Sequence, residues 1–110
     1  MVLARLTSVV LFLLALTILP AACGSSSSSS TVNMSNLQFS PSSLTVTVGT
    51  KVTWKNKDGI IHDITSNTGV FASGNINAGG SFSYTFKTAG TYAYNCLHHP
   101  GMNGTIIVQN

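Results

Sequence analysis

Thr91-Tyr92-Ala93-Tyr94-Asn95-Cys96-Leu97-His98-His99-Pro100-Gly101-Met102-Asn103-Gly104-Thr105-Ile106-Ile107-Val108 reads as a strand, a short loop and a second strand. Tyr92, Tyr94 and Cys96 alternate onto one face, as a half-buried strand requires. Between the strands, the spacing Cys-x-x-His-x-x-Met packs a thiol, an imidazole and a thioether into one loop. His62, the one histidine outside that loop, lies far upstream. Two imidazoles and a thiolate in a trigonal plane, with a weak axial thioether, are the ligand set of an electron-transfer copper site. The expected ligands of a single copper ion are therefore His62, Cys96, His99 and Met102.

Outward from this hairpin, the domain is written in short alternating runs separated by turn residues. Leu44–Val48 alternates apolar and hydroxyl residues and stops at Gly49. Lys51–Lys55 alternates again and runs into the turn cluster Asn56-Lys57-Asp58-Gly59. Phe82, Tyr84 and Phe86 share one face of Ser81–Phe86. Val32–Met34, His62–Thr65, Thr91–Cys96 and Thr105–Val108 complete seven candidate strands, and Val70–Ile76 is either an eighth or an irregular connection. Nothing past the serine tract shows sustained helical periodicity, and there is no repeat. The expected fold class is all-β: an antiparallel β-sandwich of seven or eight strands, with Trp54 and the strand aromatics as its core.

The N-terminal segment has a different composition. Arg5 supplies a positive start and Val9–Leu19 a mostly apolar run, about half of a bilayer core as a helix, so residues 1–22 read as a signal peptide. Small residues before Cys23, then Gly24 and serines, resemble a bacterial lipoprotein signal, in which the cysteine is lipidated and becomes the new N-terminus. The alternative is an ordinary cleaved signal that leaves Cys23 as a free thiol. Residues 23–30 then form a lipidated cysteine and a serine-rich linker, because Ser25–Ser30 has no apolar area to bury. The single domain occupies residues 31–110, on an exported, membrane-anchored lipoprotein facing the periplasm or the cell exterior.

Composition narrows the function. From Cys23 onward four lysines face two aspartates, a formal +2, too little and too dispersed for a nucleic-acid footprint. The two cysteines lie on either side of the linker, so the domain has no disulfide framework. A lone thiol in an oxidising compartment is a liability unless it is buried or metal-bound.

Taken singly, the ligand candidates have ordinary explanations: a strand-ending cysteine as a small core hydrophobe, Met102 as a gap filler, His62 as a histidine bonded to backbone. None explains why thiol, imidazole and thioether share one short loop. Zinc would want more thiolates than this chain has, and a haem attachment would need Cys-x-x-Cys-His, which is absent.

The segment Gly90–Val108 resembles the copper loop of the cupredoxins, the small blue copper proteins, and is most similar to their amicyanin- and plastocyanin-like members. Phe39-Ser40-Pro41-Ser42-Ser43-Leu44, the run through Trp54-Lys55-Asn56, and His62 extend the likeness over about Val32 to Val108. The resemblance implies a Greek-key sandwich, one type 1 copper held by His62, Cys96, His99 and Met102, and a tyrosine corner at Tyr92. Two positions depart from it. Family members commonly carry Asn after the first histidine ligand and a hydroxyl residue after the cysteine, which tie the ligand loops together; here these are Asp63 and Leu97. His98 stands where such proteins have Pro and restores an amide that can point at the Cys96 sulfur. As a fifth ligand or as an exposed side chain, His98 has two further readings.

Four protein ligands leave no open position for substrate, so no catalytic residue is assigned and the chain is not read as an enzyme. The expected function is one-electron transfer by Cu(II)/Cu(I) cycling in a tethered monomer, between redox protein partners. Leu97, His99 and Pro100 form the docking surface, joined on one reading by Ile60 and Ile61. The alternative is a tethered module for copper storage or delivery; a metal-free adhesion sandwich is the third reading.

Overall fold

Alternation shapes each strand of the domain. In a computed structural model, which describes residues 28–110, every regular element is a β-strand. They are β1 (Ser29–Ser35), β2 (Gln38–Ser40), β3 (Ser43–Thr47), β4 (Lys51–Asn56), β5 (Thr65–Ser66), β6 (Ser81–Thr85), β7 (Gly90–Asn95) and β8 (Asn103–Gln109). The expected signal peptide at 1–22, Cys23 and most of the serine linker lie outside the described residues. The first strand begins at Ser29 and pairs it with Lys51, so the last serines of the tract join the sheet, ahead of Thr31.

Two four-stranded sheets result, ordered β2-β1-β4-β6 and β3-β8-β7-β5. The all-β sandwich is as expected, but its sheets are mixed. The β1–β4 and β3–β8 pairs are parallel, while β1–β2, β4–β6, β5–β7 and β7–β8 are antiparallel. A parallel neighbour leaves no mark on a single strand's alternation, because the same face is buried whichever way the partner runs.

Inward positions of both sheets supply one core. Val32 and Met34 of β1, Val52 and Trp54 of β4, Tyr94 of β7, and Ile106 and Val108 of β8 are all buried. Trp54 sits at the centre of an aromatic group, 5.5 Å from Tyr94 with an edge-on ring and 5.8 Å from both Phe71 and Phe82. Phe82, Tyr84 and Tyr92, expected with the core, are only half-buried, because β6 is the edge of its sheet and Tyr92 begins the exposed end of β7. The Tyr92 hydroxyl donates to the Thr88 carbonyl at 2.6 Å, closing the tyrosine corner the resemblance implied.

Two elements differ from the expected list. β2 was not anticipated: it folds back on β1 through a two-residue turn, Asn36-Leu37, with φ of 53° and 59°. Both central residues at positive φ mark a type I′ hairpin, usually signalled by Gly, which is absent here. The expected strand His62–Thr65 shrinks to an isolated bridge between His62 and Ile76 and the two-residue β5. His62, Asp63 and Ile64 are buried consecutively, which no regular alternating strand allows. Val70–Ile76 is an irregular connection whose Phe71 and Ile76 are buried anchors.

The seam between β7 and β8 is tight. Gly104 lies opposite Tyr94, and a methyl group there would overlap the buried Tyr94 ring, which packs 4.7 Å from Phe39. Gly104→Ala should therefore destabilise the fold by roughly 1–3 kcal/mol, the usual cost of overpacking. In thermal unfolding of the copper-free protein this lowers Tm by about 4–8 °C per kcal/mol for a domain of this size; an unchanged Tm would show that the ring moves freely.

Candidate metal centre

The last hairpin places the first group of donors. Asn95 of β7 pairs with Asn103 of β8, so the seven residues between them form the connecting loop. The Cys96 amide donates to the Met102 carbonyl at 3.0 Å, the Met102 amide to the His99 carbonyl at 3.1 Å, and the His99 amide to the Cys96 carbonyl at 3.4 Å. These bonds close the loop on itself and bring the two sulfur-bearing residues to facing positions. Cys96 and Met102 are buried, and His99 is half-buried at the rim.

His62 is delivered by the loop after β4. Asn56, buried at the end of that strand, donates through Nδ2 to the carbonyls of Ile60 at 2.7 Å and Ile76 at 3.0 Å, and its Oδ1 accepts the Asp58 amide at 3.0 Å. The His62 backbone is fixed by reciprocal bonds to Ile76. Its ring Nε2 lies 2.8 Å from Asp58 Oδ2, and Asp58 also accepts the amides of Asn36 at 2.8 Å and Leu37 at 3.1 Å. Burial pushes the Asp58 carboxyl up, but the bonds from His62, Leu37 and Asn36 outweigh it and hold the group below its ordinary value. A carboxylate only accepts, so the His62 proton belongs on Nε2 and the Nδ1 lone pair faces inward.

Inward means toward the other two donors. His62 Nδ1 lies 3.2 Å from His99 Nδ1 and 3.8 Å from Cys96 Sγ, and His99 Nδ1 lies 3.4 Å from the same sulfur. All three donor atoms fall within 4.8 Å of one another. Nitrogens about 2.0 Å and a sulfur about 2.3 Å from one ion, spread evenly in a plane, stand roughly 3.5–3.8 Å apart. The triangle on hand is close to that, so the residues fit a single ion. One soft thiolate and two imidazoles are a copper donor set.

Asp63 joins the two loops. Its amide donates to Cys96 Sγ at 3.4 Å; Oδ1 accepts the Leu97 amide at 2.7 Å and faces Cys96 Sγ at 3.1 Å; Oδ2 accepts the Thr65 hydroxyl at 2.6 Å. The link between the ligand loops, which Asp63 and Leu97 cannot form through two side chains, is made with a backbone N–H in place of a side-chain hydroxyl. Burial raises the Asp63 carboxyl, yet the bonds from Thr65, Cys96 and Leu97 bring it below its usual value. The Cys96 thiol moves the other way: burial pushes it up, and the side chain of Asp63 adds to the rise.

The structure brings His62, Cys96 and His99 together. Met102 is buried, its carbonyl bonded to the Cys96 amide, in the core cluster that also contains Cys96. His98 is not part of the set, because its Nε2 turns outward to Asn75 Oδ1 at 2.7 Å. Leu97 and Pro100 are exposed beside His99, and Leu97 is 67% accessible. Ile60 and Ile61 are exposed on the loop that carries His62. Asp58 and Asn56 were missed as site residues. Both sit in what reads as a plain turn cluster, and only the four-residue spacing from Asp58 to His62 hinted at a partner.

Residues 26–109 match the family model described as copper binding proteins, plastocyanin/azurin family. A plastocyanin from Scenedesmus fuscus is 43% identical over 86 residues, covering 66% of this chain and 88% of the plastocyanin. Amicyanin from Paracoccus denitrificans is 31% identical over 83 residues, 71% of this chain and 63% of that protein. Among solved structures, a purple cupredoxin from Nitrosopumilus maritimus superposes with a TM-score of 0.68 at 32% identity, over 73% of this chain and 99% of that one.

With its thiol pKa raised, Cys96 holds its proton at neutral pH, and a metal ion must displace it. Cupric ion added to the metal-free protein should release at least one proton per ion, and apparent affinity should climb by about tenfold or more per pH unit on approach to the thiol pKa. Flat affinity across neutral pH in a competition titration would remove Cys96 from the ligand set.

Proposed function

This chain belongs to the plastocyanin/azurin family of copper binding proteins, a copper electron-transfer family, and we propose that it works as a membrane-tethered one-electron carrier. The observation that carries the reading is the triangle of His62 Nδ1, Cys96 Sγ and His99 Nδ1. One type 1 copper ion, when bound there, supplies the Cu(II)/Cu(I) couple.

The rest of the work falls to the protein. Hydrogen bonds from His62 Nε2 to Asp58, from the Leu97 amide to Asp63, and within the 96–102 loop hold the donors without help from an ion. A frame set in advance cannot relax far toward the geometry either oxidation state would choose for itself, which keeps reorganisation small. Met102 is the proposed axial ligand, supported by its burial and its place opposite Cys96. His99, at the rim, is the proposed route for electrons, and the exposed Leu97 and Pro100 beside it make a small apolar surface for a redox partner. Weak redox complexes bury little area, which suits such a patch. Ile60 and Ile61 extend it on the neighbouring loop.

Export with lipid attachment at Cys23 completes the proposal. It rests on the sequence of residues 1–30 and on a lone domain thiol, Cys96, that is buried. Lipidation predicts a mass addition on Cys23 in protein from the membrane fraction, and Cys23→Ser should move the chain to the soluble fraction.

Copper-loaded protein should show an intense thiolate-to-copper visible band and reversible one-electron voltammetry. His62→Ala should abolish the band, and Met102→Ala should shift band and potential together. Tight copper binding without a reversible couple would favour storage or delivery, and a colourless protein in excess cupric salt would end the copper reading.

A further inference from the structure

The chain has only two acidic residues, and both touch the metal centre. Asp58 Oδ2 lies 2.8 Å from the ring of His62, and Asp63 Oδ1 lies 3.1 Å from the Cys96 sulfur. None of the four lysines comes within 4.0 Å of either carboxylate; among the described residues the only pairing of this kind is Asp58 with His62 itself. Lys51, Lys55, Lys57 and Lys87 are all exposed, where water screens them. Both acidic side chains of this protein are gathered on the donors of one ion.

Loop tethering does not account for that placement. An asparagine at 63 would offer the same oxygen to the Leu97 amide, and its Nδ2 could donate to the Thr65 hydroxyl oxygen. An aspartate carboxylate only accepts. Both Asp63 oxygens are already occupied by donors, Leu97 N–H on Oδ1 and the Thr65 hydroxyl on Oδ2, and both Asp58 oxygens accept amides from the turn after β1. What aspartate adds at each place is a negative charge beside a ligand, buried at Asp63 and partly exposed at Asp58.

We propose that Asp58 and Asp63 act as a pair of electrostatic positioning residues that favour the oxidised ion and set a low reduction potential. The inference rests on the copper reading above. A cupric ion and the Cys96 thiolate carry one net positive charge; the thiol proton leaves to solvent when the ion binds. The two carboxylates bring the centre to one net negative charge, so the incoming electron enters a field that repels it. Asp58 also makes His62 a stronger donor through the shared Nε2 proton, and a stronger donor prefers the more highly charged ion.

The test is voltammetry on the copper-loaded full chain, with the visible band as a check that coordination survives. Asp63→Asn and Asp58→Asn each keep one acceptor oxygen and remove the charge, while the second oxygen becomes an amide donor. Each is expected to weaken the preference for Cu(II) over Cu(I) by about tenfold or more, a rise in potential of about 59 mV for a one-electron couple. Asp58→Glu, which keeps the charge, should return the potential from the raised value of Asp58→Asn to near that of the unaltered protein, which a merely structural role would not do. An unchanged or lowered potential with an intact band overturns the proposal. If Asp63→Asn fails to fold, Thr65→Val decides: stripping a hydroxyl from the carboxylate should lower the potential further, and an unchanged or raised value counts against the idea. Absence of any band in the unaltered protein would instead defeat the copper reading, so the two failures are told apart.

Discussion

Everything at the metal end depends on Asp63 holding two remote stretches of chain against each other. The loop after β4 brings one imidazole, and the β7–β8 hairpin brings the thiol and the second imidazole. Each loop has its own ties, His62 to Ile76 and Cys96 to Met102, but these do not join one loop to the other. Asp63 spans them with a backbone donor to Cys96 Sγ and a side-chain acceptor for the Leu97 amide. Because these bonds form in a buried setting, losing either partner would leave an unsatisfied polar group, which costs more than the bond is worth in water. The two loops therefore stand or fall as one unit.

Behind that unit lies an ordinary sandwich. Its sheets meet on a core of Val32, Met34, Trp54, Tyr94, Ile106 and Val108, and the ends of β1, β4 and β7 open onto the same side. Asp58 ties the β1–β2 turn to His62, so even the tight turn at Asn36-Leu37 serves the site. A left-handed leucine there is unfavourable by about 1–2 kcal/mol, and two hydrogen bonds to a carboxylate help offset it. The metal site is thus continuous with the backbone of both sheets rather than added to their surface.

A shared framework explains why a copper site survives two departures from the family's usual tethering residues. Leu97 has no side-chain donor, yet its amide is enough when the acceptor is a carboxylate with two oxygens. The His98 side chain turns away from the donors to Asn75 and braces the hairpin from outside, while its backbone amide acts on Cys96 and Asp63. The copper loop is held from both flanks.

Much of this could be read from the sequence, because strand alternation and the Cys-x-x-His-x-x-Met spacing are local patterns. The all-β class, most strand positions and the donors Cys96 and His99 follow from residue types at short spacing; His62 stands out as the one histidine outside the loop, and the tyrosine corner at Tyr92 is implied by the family resemblance. Parallel pairing of β1 with β4, the glycine-free hairpin that makes β2, and the collapse of 62–65 into a bridge were decided by tertiary structure. So were the roles of Asp58 and Asp63. A carboxylate in a turn looks the same in sequence whether it faces water or a histidine, and what stands opposite it is chosen by a chain segment 21 to 34 residues away. Ligand chemistry belongs to residue type; the charge around the ligands belongs to the packing of distant loops.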